Sequence, residues 1–251
     1  MRQFPSWVNA CIDFIMPEHL TCYFCNAEMP PGHGKYICQD CEQGLSQIEG
    51  NLCKVCGRVI DHNYAQHADY FYKCKECQEQ FAFYETHRAY THYEGGVKTA
   101  LIGLKYKRQI HQAVFLGQCL GEMVQHRPEL MDFDHIVPVP VHINRRISRG
   151  YNQAEVLAAE MAKVIGVAPP KEWLKRKRKT KKLKNLGRAS RKDMLSDAIM
   201  LKSGAVPLVK DQKIMLVDDI YTTGATLNAC SKALYEAGCA KVICVTVARG
   251  R

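Results

Sequence analysis

The adjacent acids Asp218 and Asp219, with the hydroxyl-rich loop Thr222, Thr223, Gly224, Ala225 and Thr226, are the residues of this chain best suited to chemistry. Two carboxylates side by side can accept hydrogen bonds from ribose hydroxyls or hold Mg2+ through hard oxygen ligands. The loop adds three threonine hydroxyls, and Gly224 lets the backbone come close to a ligand. Unpaired amides at a helix N-terminus, reinforced by the helix dipole, favour an anion such as phosphate. Acids for hydroxyls or a cation beside a phosphate cradle describe a pentose-phosphate site. To build it, the apolar run Ile214 to Val217 must be a buried parallel strand that delivers the carboxylates at its C-terminal end. A helix must then begin near Leu227.

A second chemistry sits near the N-terminus. Eight of the 13 cysteines form four Cys-x-x-Cys pairs: Cys22/Cys25, Cys38/Cys41, Cys53/Cys56 and Cys74/Cys77. Four thiolates suit tetrahedral Zn2+, and each pair places two of them on one tight turn. The simplest assignment is two sequential four-cysteine sites, with interleaved ligation open. Disulfides or a redox thiol pair would not explain four repeats of one spacing. Gly57, directly after Cys56, fits a knuckle that turns backbone amides toward sulfur. His33, His62 and His67 lie near in sequence, but the thiolates already complete both sets. Both sites read as structural, because a catalytic zinc keeps an open position. The segment has few large apolar residues, so metal would supply most of its folding energy. Cys11, Cys119, Cys230, Cys239 and Cys244 read as core or surface thiols.

At 251 residues the chain has room for a sizeable domain and a smaller one. No stretch approaches the roughly 18 apolar residues of a membrane span. WVNACIDFIM carries Asp13 and lacks a basic leader, so it reads as a small amphipathic element rather than a signal. Free thiolates in metal-ligand spacing fit a reducing cytoplasm. The net charge of +10 is concentrated: residues 171–192 hold 12 of the 35 Lys and Arg and one acid, Glu172, so the remainder is nearly neutral.

From about residue 83, strands and helices alternate. FAFYETHRAYTHYEG, DHIVPVPV, AIMLK, KIMLVDD and KVICVTVA read as strands; VKTALIGLKY, AVFLGQCLGEMVQ, NQAEVLAAEMAKVIG and NACSKALYEAG read as helices. Asn152 or Tyr151 would cap the third helix, and Gly166 would stop it. This is an α/β order, with a mostly parallel sheet whose ligands lie at the C-terminal strand ends. A second locus falls at 137–158, where two prolines stiffen a turn open to a cis bond and Arg145, Arg146 and Arg149 follow in a loop. Clustered guanidinium forks suit a polyphosphate.

KIMLVDDIYTTGATL resembles the phosphoribosyl pyrophosphate (PRPP) signature of type I phosphoribosyltransferases, except that Tyr221 stands where a small aliphatic residue is usual. The Pro-Val-Pro strand end, the Arg-Gly-Tyr-Asn-Gln-Ala-Glu run, LIGLKYKRQ at 101–109 and the four Cys-x-x-Cys pairs together resemble the ComF family of competence-associated proteins. That resemblance implies a double zinc ribbon (1–82) joined to a phosphoribosyltransferase-like α/β domain (83–251). It implies Asp218 and Asp219 on ribose hydroxyls and Mg2+, Thr222 to Thr226 on the 5′-phosphate, and Lys105 and Arg149 near pyrophosphate. It also implies a link to DNA uptake in natural transformation, with other uptake or recombination proteins as partners. The Thr-x-x-Gln of relatives is replaced here by Thr180 followed by Lys181, Lys182 and Leu183.

Residues 171–192 occupy the place of a mobile loop that closes over PRPP. Pyrophosphate needs one or two cations, however, and Lys175, Arg176, Lys177, Arg178, Lys179, Lys181 and Lys182 are only the densest part of this segment. A nucleic-acid strand uses many cations, and Trp173 offers a face for base stacking or a packing anchor. A solvated loop without ligand is the plain alternative. The readings left open are a single-stranded-DNA-binding protein with a PRPP module, an active Mg2+-dependent phosphoribosyltransferase on a nucleobase-like acceptor, and an RNA-binding regulator that responds to PRPP.

Overall fold

The computed structural model describes residues 21–30, 36–60, 73–176 and 199–250. Two five-residue helices, α1 (Gln39–Gln43) and α2 (Lys75–Glu79), lie in the cysteine region. Then follow β1 (Thr86–His92), α3 (Gly95–Tyr106), α4 (Ile110–Gln125), β2 (His135–Pro138), α5 (Ile143–Arg149) and α6 (Gln153–Ile165). The chain continues through β3 (Leu174–Arg176), β4 (Ile199–Leu201), α7 (Val206–Val209), β5 (Lys213–Tyr221), α8 (Ala225–Glu236) and β6 (Lys241–Arg249).

Strands β1, β6, β5 and β2 form one parallel sheet in that order, and β3 pairs antiparallel with β4 beside it. The two central strands are continuous apolar runs because both faces are covered, as parallel sheets require. Alternation along β5 divides the core. Met215 and Val217 pack with α3, α4 and α6, whereas Ile214 and Leu216 pack with α8 and the β3–β4 pair. Asn152 caps α6 by accepting from the Ala154 amide at 3.1 Å, and Gly166 ends it in the left-handed conformation at φ 77°, as expected from the sequence.

The cysteine region packs on this domain at several points, among them the Ile48 amide, which donates to the Tyr90 carbonyl of β1 at 3.0 Å. Phe24 is fully buried and meets Phe115 of α4 edge to face at 5.7 Å, a burial worth about 2–3 kcal/mol. Further along, the His87 amide donates to the Val55 carbonyl at 2.7 Å, and the Thr86 hydroxyl donates to the Lys54 carbonyl at 2.6 Å. Because β1 is an edge strand, these contacts cover an edge that would otherwise invite pairing with another chain.

Several local expectations change. The arginines at 145–149 lie on helix α5, capped by His142, rather than in a loop. No cis peptide occurs among the described residues, so the prolines stiffen the turn in the trans form. Helix α8 starts at Ala225, two residues before Leu227, because Gly224 takes the N-cap position with φ 75°. Trp173 is buried and meets His135 edge to face at 4.9 Å, so it is a packing anchor and not a stacking platform for bases.

Candidate functional site

Strand β5 runs through both acids to Tyr221, but its ladder to β2 stops at Val217 opposite Pro138. On the β6 side, pairing continues to Tyr221 opposite Arg249. The acids are therefore held from one flank and open on the other, which is the crevice that a parallel sheet offers at its C-terminal edge. Adjacent strand residues face opposite ways. Asp219, on the α3 side, makes an ion pair with Lys105 at 2.5 Å, and only 7% of its side chain is exposed. Asp218, on the α8 side, accepts from the Asp219 amide at 2.8 Å. Burial first, and the Asp219 charge second, hold the Asp218 carboxyl well above the usual carboxylate range.

The loop after β5 has exposed Thr222 and Thr223, a buried Gly224, and Ala225 and Thr226 in the first turn of the 12-residue helix α8. The Ala225 amide donates to the Thr223 hydroxyl at 3.4 Å. Gly224 cannot be replaced without strain: a Cβ there would lie 2.6 Å from the Tyr221 hydroxyl oxygen. Tyr221 is itself enclosed. Its hydroxyl is 3.0 Å from that of Tyr84, the His87 ring stacks on it at 4.1 Å, and the Arg249 guanidinium lies 4.9 Å over it.

Beyond the end of β2 is a cavity of about 420 Å3, lined by Pro138, Pro140 and Asn152 and by charged groups from three elements. Arg146 reaches Glu155 at 2.8 Å and Glu172 at 3.4 Å, and Lys202 reaches Glu172 at 2.7 Å. Lys175 and Arg176 complete its basic side. Burial raises the Glu155 carboxyl above its ordinary value. Arg149 is buried, donates to Gln153 at 2.9 Å and lies 5.7 Å over the Tyr106 ring, while Arg145 is exposed. Of the basic segment's densest run, Lys175 and Arg176 are among the described residues. Lys177, Arg178, Lys179, Lys181 and Lys182 lie outside them, as do His33, His62 and His67.

The cysteines assemble as two tetrads, Cys22/Cys25/Cys38/Cys41 and Cys53/Cys56/Cys74/Cys77, each with its sulfur atoms within 4.8 Å of one another. The pairing is sequential, not interleaved. Cys25 and Cys38 sulfurs are 3.7 Å apart and Cys56 and Cys74 sulfurs 3.6 Å. Four thiolates about 2.3 Å from one zinc would stand about 3.8 Å apart, so the donor sets fit the ion. Backbone amides of Cys38 and Phe24 donate to the Cys22 sulfur, and those of Cys74 and Cys56 to the Cys53 sulfur, at 3.3 to 3.5 Å. The Cys53 thiol is lowered to about 4, chiefly by its hydrogen bond with Cys56, with the amides adding to this against burial. Such donors stabilise thiolate, the form that binds metal. Cys119, Cys230, Cys239 and Cys244 are buried core thiols.

A double zinc ribbon domain family matches residues 11–78, and a phosphoribosyl transferase domain family matches residues 152–251. Competence protein F of Haemophilus influenzae is 27% identical over 80% of this chain and 85% of its own length. Competence protein ComFC of Bacillus subtilis is 26% identical over 80% of this chain and 79% of its own length. DNA utilization protein YhgH of Salmonella typhimurium is 26% identical over 88% of this chain and 93% of its own length. The chain joins a double zinc ribbon region to a phosphoribosyl transferase domain, and it is similar to these competence and DNA utilization proteins over most of its length. Its architecture is thus a parallel α/β phosphoribosyltransferase-like fold preceded by a zinc-ribbon region with two cysteine tetrads. No helix among the described residues is long and apolar enough to cross a membrane.

The structure brings Lys105 to the acid pair and groups Arg146 with Lys175 and Arg176 at the cavity. Sequence reasoning missed Glu155, Glu172 and Lys202 there, because nothing local marks them as partners of Arg146. It also missed the enclosure of Tyr221 by Tyr84, His87 and Arg249. The only signal for that cluster was the bulk of Tyr221 at a position where relatives of the motif are small.

Proposed function

We propose that the chain binds PRPP with Mg2+ at the β5 acid pair and the Thr222–Thr226 loop, and handles single-stranded DNA through its basic segment during natural transformation. The observation that carries the PRPP reading is the juxtaposition at the end of β5. Two acids there open toward the β2 side, next to a left-handed Gly224 that starts a three-turn helix. In this reading Asp218 and Asp219 accept from ribose hydroxyls and hold Mg2+, and the loop amides and threonine hydroxyls hold the 5′-phosphate. Arg145, Arg149 and the cavity cations take the pyrophosphate, and Lys105 neutralises the acids from the α3 side. A competence role is supported by the names of two relatives, and work on DNA by that of the third. With its paired zinc ribbons the region 1–82 acts as the accessory part, 83–251 as the ligand-binding part, and the reducing cytoplasm as the compartment that keeps the thiolates competent.

The DNA reading rests on charge. Twelve Lys and Arg in 22 residues exceed what one pyrophosphate can use. A strand that displaces many counterions gives affinity that falls steeply with salt. The test is fluorescence anisotropy of a labelled single-stranded oligonucleotide across a salt series, with and without PRPP and Mg2+. Tight, strongly salt-dependent binding is expected. A variant with alanine at Lys177, Arg178, Lys179, Lys181 and Lys182 should bind more weakly with a flatter salt slope. An unchanged slope would remove the segment from the DNA site.

The cavity of about 420 Å3 beside β2 favours a second reading, an active phosphoribosyltransferase with a small acceptor, since its volume suits a nucleobase-sized ligand. PRPP-dependent release of pyrophosphate in the presence of a panel of nucleobases would establish it.

A further inference from the structure

We infer that the second cysteine tetrad sets the geometry of the Thr222–Thr226 loop through Tyr221, so that zinc at Cys53/Cys56/Cys74/Cys77 and an anion at the loop bind with mutual dependence. This rests on the reading of that loop as a phosphate site. The connection is a chain of direct contacts. The Cys56 carbonyl, on a residue of the tetrad, faces His87 Nδ1 at 2.9 Å and accepts a hydrogen bond from the Arg249 guanidinium. The His87 ring stacks on Tyr221 with an interplanar angle of 24°, and Arg249 lies over the same ring. The Tyr221 hydroxyl in turn occupies the space where a Cβ of Gly224 would stand, at the N-cap of α8.

Two further contacts tie the same residues to the tetrad and to the acids. Gly57 is so close to β1 that a Cβ on it would lie 2.6 Å from the His87 carbonyl oxygen. His87 Nε2 is 2.9 Å from the Thr246 hydroxyl, and Thr246 is the register partner of Asp218. His87 is fully buried, wedged between ribbon and sheet. Close-packed interiors transmit a displacement rather than absorb it. A shift of the Cys56 backbone on metal loss therefore moves Arg249 and His87, and with them the ring that sets the start of α8. The aliphatic residue usual at position 221 has no ring for either group to grip, which gives the Tyr221 departure a purpose. Tyr221 is a positioning residue in this scheme: it touches the loop, not the ligand.

Coupling of two binding equilibria is reciprocal, so the experiment reads the metal. The full-length protein is loaded with cadmium-113, and the two tetrathiolate sites are observed by NMR while PRPP with Mg2+ is titrated and followed in parallel by calorimetry. One cadmium resonance is expected to shift on saturation and the other to stay. In the zinc form, PRPP should slow release of one ion to a chromophoric chelator by about fivefold or more. Tyr221→Val should abolish both effects. Tyr221→Phe, which keeps the ring for Arg249 and His87, should retain them in part, and covers the case of a valine variant that fails to fold. Calorimetric saturation with neither resonance moving, or a shift that survives in Tyr221→Val, would overturn the coupling while leaving the phosphate site standing. Absence of PRPP binding to the wild-type protein would instead overturn the phosphate site and the coupling with it.

Discussion

Lys105 Nζ lies 2.5 Å from Asp219 Oδ2, an ion pair that ties the last turn of α3 to the C-terminal end of β5. With Asp219 almost fully buried, the lysine is the cation that makes its charge tolerable. Under the proposed PRPP reading it also sits beside the ribose hydroxyls and Mg2+. Lys105→Met keeps the aliphatic length of the side chain but removes the charge. The expected cost is about 1–3 kcal/mol, below the range for a fully buried pair because part of Lys105 reaches solvent. Chemical denaturation measures it, and calorimetry should show PRPP affinity falling at least tenfold.

Asp218 is predicted to lower the stability of the fold in exchange for function. Its carboxyl is raised in the folded state by burial and by Asp219, whereas in the unfolded chain it titrates near 3.9. Between those two values the folded state holds more protons, so stability from this group falls as pH rises through that window. Asp218→Asn removes the half-buried charge at nearly constant shape. In metal-free buffer without PRPP it should be more stable than wild type by roughly 1 kcal/mol at pH 7, with the advantage shrinking toward pH 4. It should also lose Mg2+-dependent PRPP binding. A variant less stable at pH 7 would show that the charge on Asp218, which strengthens the hydrogen bond it accepts from the Asp219 amide, stabilises the fold instead.

Gly224→Ala tests whether the loop geometry is fixed. The substitution meets φ 75°, which side chains seldom adopt, and a contact at 2.6 Å with the Tyr221 hydroxyl oxygen. About 1–3 kcal/mol of destabilisation is expected from strain and overlap together. Thermal unfolding gives that cost, and PRPP affinity should drop at least tenfold because α8 can no longer start at Ala225. Unchanged affinity would mean that the loop amides do not hold the ligand.

The fold was legible where local chemistry and long-range packing agree. The apolar run before Asp218 is central in the sheet, and Asn152 and Gly166 bound α6 because caps are local events. The cysteine spacing marked eight ligands, with sequential pairing the simplest assignment and interleaving open, and the folded chain brings together the sequential sets. What escaped sequence reasoning depends on partners far apart in the chain. His87 and Arg249 meet Tyr221 only once β1, β6 and β5 are aligned, and Glu155 and Glu172 reach Arg146 from different elements. The placement of Trp173 in the core was equally a tertiary matter, because a tryptophan beside a basic run has the same sequence whether it stacks on bases or packs on His135.

Metal content provides the last prediction. The first tetrad anchors Phe24 against α4, whereas the second holds Val55 and Lys54 against the edge of β1. Two equivalents of zinc per chain are expected by elemental analysis, and Cys53→Ala should retain one. Losing the second ion should uncover the β1 edge, whose backbone groups then lack partners. The variant should accordingly associate in a concentration-dependent way by light scattering while keeping most of its helical circular dichroism. Cys22→Ala should behave differently: it loosens the contact of Phe24 with Phe115 and lowers the melting temperature without exposing a strand edge. If both variants aggregate alike, edge protection is not what the second ribbon contributes.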